Sequence, residues 1–194
     1  GAINAVEAGD PSILKSERGK RWSSWLKKAE MFEQTDRAKS YEILSKLKGD
    51  RSKGQVGDEQ FSHSIWKEVT VLADQHNDPG RFTALIGYEW TSQFNLHRVV
   101  VFKDGADKTN QITPLSAYDN WDPENLWAFL EEYEDKTGGE VLAIPHNSNL
   151  SVGTMFALQD AKGNPLSKYY AATRSRWEPL LEVTQIKGDS ETHP

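Results

Sequence analysis

The feature that most constrains this chain is a change in hydrophobic period between residues 58 and 144. Phe61, Ile65, Val69 and Leu72 recur at intervals of four, four and three, the mark of a helix with one apolar face. Asn77-Asp78-Pro79-Gly80 ends that pattern. Phe82 to Trp90 then reads as a strand, and His97 to Lys103 as a second one, rich in valine. A helix opens at Asp122, an N-cap residue followed by Pro123 at the first helical position. It carries Leu126, Phe129, Leu130 and Tyr133 and stops at Gly138-Gly139. Val141 to Ile144 reads as a short strand and Leu180 to Ile186 as another. Ser151 to Ser175 between them is an irregular excursion, with a short helix over Leu166 to Thr173. Helix and strand in alternation imply an α/β layer or barrel.

The first 57 residues read differently from 58–194, as a helical insertion or excursion. Trp22, Trp25 and Leu26, then Tyr41, Leu44 and Leu47, mark two amphipathic helices. Gly49 and the polar stretch Asp50 to Gly57 break the chain.

Composition narrows the function. Across 194 residues the net charge is -6, and no extended basic stretch offers a footprint for nucleic acid. No apolar run is long enough to span a membrane, and the start is no signal peptide. A soluble protein is expected, with the compartment (bacterial cytoplasm or periplasm) left open. There is no cysteine, hence no disulfide, thiolate metal site or cysteine nucleophile. Only 37% of residues are hydrophobic and the mean hydropathy is -0.70, low for a closed domain. Seven tryptophans argue against disorder.

Chemistry collects at strand ends. Glu89 closes the apolar strand Ile86-Gly87-Tyr88-Glu89-Trp90, and His97 opens the next. A hairpin centred on Gln93 would set Glu89 directly opposite His97, on one face, where a carboxylate and an imidazole can share a divalent cation. His146 follows the strand ending at Ile144, and Asn147-Ser148-Asn149 comes after it. Functional groups gather at the carboxyl ends of parallel strands, which fits Glu89 and His146. Glu182, Lys187, Asp189, Glu191 and His193 add polar groups near a later strand end. Taken singly, each has a bland reading as a solvated or structural residue, and His63 and His76 are read that way. No phosphate-binding glycine loop, serine elbow or His-x-x-x-His helix is present.

Four strings together resemble a known family. Phe82-Thr83-Ala84-Leu85-Ile86-Gly87-Tyr88-Glu89-Trp90-Thr91 is similar to the Glu-bearing strand of the polymerase-and-histidinol-phosphatase (PHP) superfamily. With Asn95-Leu96-His97-Arg98, Ala143-Ile144-Pro145-His146-Asn147-Ser148-Asn149 and the stretch from Trp177 to Gly188, it resembles an uncharacterised bacterial branch, domain of unknown function 3604. The likeness is strong from about Trp66 onward.

That resemblance implies part of a distorted (β/α)7 barrel holding divalent metals, Zn²⁺, Mn²⁺, Fe or Mg²⁺, and hydrolysing a small-molecule phosphoester. It makes Glu89, His97 and His146 metal ligands and Arg98, Asn147 and Asn149 substrate-binding. Glu182, Lys187, Glu191 and His193 become possible supports of the ligands. The family's His-x-His strand, Thr-Asp-His string and Asp-x-His strand do not occur here. The expectation is therefore an internal piece with an incomplete metal set, inactive alone, whose exposed barrel edges could pair between copies. Rival readings are a carbohydrate-binding module using His146 and the tryptophans, and a metal-dependent hydrolase of ester or amide bonds.

Overall fold

The computed structural model describes residues 2–51 and 57–190; Glu191 and His193 lie outside them. The chain divides into two compact units, Gly1–Ile65 and Trp66–Pro194.

The first unit is helical. Helices α1 (Ala2–Glu7), α2 (Pro11–Leu14), α3 (Glu17–Glu33) and α4 (Arg37–Arg51) are joined by the start of α5 (Glu59–His76). Its core gathers Val6, Ile13, Trp22, Leu47 and Phe61. The α2–α3 corner is tight: a Cβ on Gly19 would come within 2.1 Å of the Ile13 carbonyl oxygen, so only glycine fits. Both helices expected here form, but the α4 stripe differs. Ser40, Ile43 and Leu47 are buried, whereas Tyr41 and Leu44 face outward. The buried Asp50 sets that rotation, because its carboxylate accepts from Trp22 Nε1 at 2.7 Å and from Arg18 Nε at 2.8 Å.

The second unit is built on a three-stranded sheet in the order β1 (Ile86–Trp90), β2 (Arg98–Phe102), β3 (Val141–Pro145). Both pairings are antiparallel, with Glu89 opposite Val99 and Val99 opposite Ile144. Alternation puts Ile86, Trp90, Val100, Phe102, Val141 and Ala143 on the core face. Helices α7 (Pro123–Thr137) and α8 (Lys168–Trp177) help cover that face with Leu126, Trp127, Leu130, Tyr133 and Trp177. A one-turn helix, α6 (Ala106–Thr109), follows β2. The α7 ends are those the sequence announces: Asp122 accepts from the Glu124 amide at 2.9 Å, and Gly138 is left-handed at φ 61°.

The mixed α/β class is as expected; among the described residues the sheets are small and antiparallel and form no closed barrel. Two other expectations need correction. The strand expected at Leu180–Ile186 shrinks to β4 (Thr184–Gln185), paired only with β5 (Gly188–Asp189). Its apolar residues Leu180, Leu181, Val183 and Ile186 are exposed, so no packed neighbour holds them in a strand. In α5, Val69 and Leu72 are exposed, and the inward stripe runs through Trp66, Thr70 and Ala73. Hydrogen bonds set that face: Trp66 Nε1 donates to the Thr109 carbonyl at 2.8 Å, and the Thr70 hydroxyl to Asn110 Oδ1 at 2.6 Å.

Candidate metal centre

Because β1 and β3 both run antiparallel to β2, they point the same way. Glu89 near the end of β1, His146 just past the end of β3 and His97 just before β2 therefore share one end of the sheet. Adjacent residues alternate faces, so these three side chains stand on the face opposite the core. Glu89 is not opposite His97 as a loop centred on Gln93 would require. The loop centres on Phe94, where Phe94 and Asn95 both turn left-handed at φ 53° and 57°. His97 becomes a diagonal neighbour of Glu89, still within reach of long side chains.

Glu89 Oε1 lies 3.2 Å from His97 Nδ1 and 3.0 Å from His146 Nε2. One ligand atom from each of the three residues falls within 4.8 Å of the others. The two imidazole rings stand edge to face with centroids 5.7 Å apart. The Glu89 side chain is half exposed, and those of His97 and His146 are mostly covered. Burial alone would raise the Glu89 carboxyl, but hydrogen bonding to His146 and the charges of both imidazoles outweigh it and hold it below its ordinary value. Burial lowers the His97 imidazole, and the Glu89 carboxylate only partly offsets this. A divalent cation bound here would take the place of the imidazole protons, since it needs an ionised carboxylate and unprotonated imidazole nitrogens.

Behind the triad, Asn147 is 1% exposed and left-handed at φ 69°. Its Nδ2 lies 3.2 Å from His97 Nδ1, and its Oδ1 accepts from Gln185 Nε2 at 2.7 Å. Gln185 also donates to Glu182 Oε2 at 2.8 Å. The Glu182 amide donates to the Pro145 carbonyl at 3.1 Å, which ties this segment to the end of β3. Asn149 Nδ2 donates to the Lys187 carbonyl at 3.4 Å, and the Ser148 hydroxyl to that of Ser190 at 3.0 Å.

The residues expected at the site thus separate. Glu89, His97 and His146 meet. Asn147 and Glu182 stand directly behind them, and Asn149 and Lys187 meet in the loop beyond. Arg98 does not join them. It points into the core, where its Nε donates to Glu178 Oε1 at 2.9 Å and its Nη1 to the Leu96 carbonyl at 2.7 Å. Both side chains of that ion pair are 1% exposed. Trp127 Nε1 also donates to Glu178 Oε1, at 2.8 Å, and Arg174 pairs with Oε2 at 3.1 Å. Sequence reasoning missed Gln185 and Glu178. Strand alternation after His97 could have placed Arg98 inward; nothing in the sequence marks Gln185.

One family model matches the whole chain, residues 1–194, under the description protein of unknown function (DUF3604). The chain belongs to that family. The resemblance of its strings to the DUF3604 branch is thereby borne out, and the Glu89–His97–His146 cluster is a feature of a DUF3604 chain. No curated protein and no solved structure matches it. Among the described residues, no helix is long and apolar enough to cross a membrane.

Proposed function

We propose that this chain contributes Glu89, His97 and His146 to a divalent-cation site in a hydrolase of the PHP type, acting on small phosphoesters. The observation that carries the reading is the convergence of one carboxylate and two imidazoles at one sheet end, with ligand atoms within 4.8 Å of each other. Two nitrogens and an oxygen suit Zn²⁺, Mn²⁺ or Fe better than Ca²⁺. A bound cation of this kind lowers the pKa of water and draws charge from phosphoryl oxygens. The protein's part is to bring the three side chains together, to hold the Glu89 carboxyl and the His97 imidazole below their ordinary values, and to leave one side of the cluster open. Three protein ligands leave coordination positions free for water and substrate. Because the resembled superfamily gathers more ligands than these, this chain alone is expected to turn over substrate slowly or not at all.

The test uses the full-length protein, stripped with chelator and reloaded separately with Zn²⁺ and Mn²⁺. Hydrolysis of p-nitrophenyl phosphate and bis(p-nitrophenyl) phosphate is compared with p-nitrophenyl acetate and an anilide. Phosphoester turnover that disappears on chelation and in Glu89→Gln supports the reading. Preference for the acetate or anilide transfers the site to ester or amide chemistry. Activity indifferent to both chelator and Glu89 overturns it.

A second reading has one observation in its favour. A cleft of about 270 Å³ between α7 and α8 is lined by Trp127, Tyr169, Tyr170 and Trp177, with Glu124 and Asp160 among its polar groups. Aromatic faces beside carboxylates suit a sugar ring. Chelator-insensitive binding of an oligosaccharide, abolished by Tyr169→Ala, would support a carbohydrate-binding role.

A further inference from the structure

The cleft between α7 and α8 is built from two helix faces. Glu124, Trp127 and Glu131 recur at intervals of three and four on α7, and Tyr170, Thr173 and Trp177 do the same on α8. Trp127 and Trp177 are each 3% exposed, while Tyr169 stands at the rim, 80% exposed. Trp127 meets Tyr170 edge to face with centroids 5.3 Å apart, which fixes that ring.

Among the described residues no Lys, Arg, His, Asn or Gln lines the cleft, although α8 carries Lys168, Arg174 and Arg176. Both arginines are engaged elsewhere. Arg174 Nη2 donates to the Met155 carbonyl at 2.8 Å and pairs with Glu178. Arg176 pairs with Glu134 at 2.7 Å, and its guanidinium covers a face of Trp177.

The carboxylates of the cleft differ in what they have left to offer. Asp160 is used by its own turn, accepting from the amides of Lys162 and Asn164 at 2.9 Å and 2.8 Å. Glu124 accepts from the Ala161 amide at 2.8 Å through Oε1, and its Oε2 has no partner among the described residues. The chain thus holds the Glu124 carboxylate in place from one side and leaves the other oxygen open. Sugar hydroxyls both donate and accept, so a neutral ring uses both kinds of partner. An ammonium group only donates, which suits a carboxylate that only accepts. Aromatic faces attract the same cation.

We propose that the α7–α8 cleft binds an amino sugar, with the ring against Tyr169 and its ammonium group donating to Glu124. The proposal rests on the carbohydrate reading of this cleft and names the class of sugar. Pockets for drug-sized ligands start at about 300 Å³, so a cleft of about 270 Å³ suits a single ring. A bare acidic patch would draw any cation; the aromatic wall adds the demand for a ring.

The test compares glucosamine, glucose and cyclohexylamine at slightly acid pH, titrated into the chain and followed by the amide resonances of α7 and α8. Glucose keeps the ring and loses the charge, and cyclohexylamine keeps a charged ring and loses the hydroxyls. Glucosamine should bind tighter than glucose by about tenfold. Glu124→Gln keeps an acceptor for the Ala161 amide and removes only the charge, so it should bring glucosamine down to the level of glucose. Tyr169→Ala, at an exposed position, should weaken both sugars alike.

Equal binding of glucose and glucosamine overturns the proposal and leaves the carbohydrate reading standing. A preference for glucosamine that survives Glu124→Gln shows attraction to the chain's net negative charge and overturns it too. Cyclohexylamine binding as tightly as glucosamine sinks the carbohydrate reading, and the proposal with it.

Discussion

The backbone amide of His146 donates to the carbonyl of His97 at 3.2 Å, continuing the β2–β3 ladder one step past Arg98 and Pro145. Directly opposed residues share a face. Two imidazoles 49 positions apart in the sequence are thereby fixed side by side by backbone pairing, before any side-chain contact is considered. Glu89 reaches the same face from β1.

Arg98 is expected to act on stability and not on ligand binding. It is buried against Glu178, with both side chains 1% exposed. Breaking a buried pair from one side leaves an uncompensated charge and costs about 3–5 kcal/mol. Arg98→Leu should lower the denaturant midpoint accordingly. Where the variant remains folded, its Zn²⁺ affinity should match wild type. A variant of unchanged stability that loses ligand affinity would contradict this placement.

Asp50 gives the helical unit a pH dependence. Hydrogen bonds from Trp22 and then Arg18 hold its carboxyl at about 2, below the ordinary 3.8. A folded-state value below the unfolded one means stability that is present above about 3.8 and lost as pH falls toward about 2. Asp50→Asn should therefore be less stable than wild type at neutral pH, by about 1–3 kcal/mol for the hydrogen bonds lost. The difference should shrink across that acid window. A penalty constant from neutral pH down to about 2 would show that Asp50 acts by shape alone.

Much of this architecture is legible in the sequence, and the failures have physical causes. Asp122, Pro123 and Gly138 mark α7 because capping chemistry is local. Glu89 and His146 stand out as polar residues where apolar strands stop. The register between β1 and β2 was not legible, because it depends on Phe94 turning left-handed at φ 53°. A bulky residue gives no sequence signal for that conformation, which glycine and asparagine favour. Val69, Leu72, Tyr41 and Leu44 fit helical periods yet lie exposed. There, the polar anchors Thr70 and Asp50 choose the buried face, and periodicity does not weigh hydrogen bonds. Leu180 to Ile186 has strand composition, but only the two residues of β4 are strand within it, paired with β5 just beyond.

Val152 is a place where the sequence works against its backbone. It is 94% exposed and left-handed at φ 53°, a conformation that costs a β-branched residue about 1–2 kcal/mol. Val152→Asn should relieve part of that strain and raise the melting temperature by about 2–4 °C. Val152→Ala, which keeps a Cβ and gains no local hydrogen bond, should give a smaller rise. Equal melting temperatures for wild type and Val152→Asn would show that the turn carries no strain.

The central claim is that Glu89, His97 and His146 act together on one cation. Calorimetric titration of Zn²⁺ into chelator-treated protein at neutral pH tests it most directly, with Glu89→Gln and His146→Ala beside the wild type. The account predicts one tight equivalent in the wild type and affinity weaker by roughly tenfold or more in each variant. A wild-type chain without a tight site, or variants that bind as the wild type does, would contradict it.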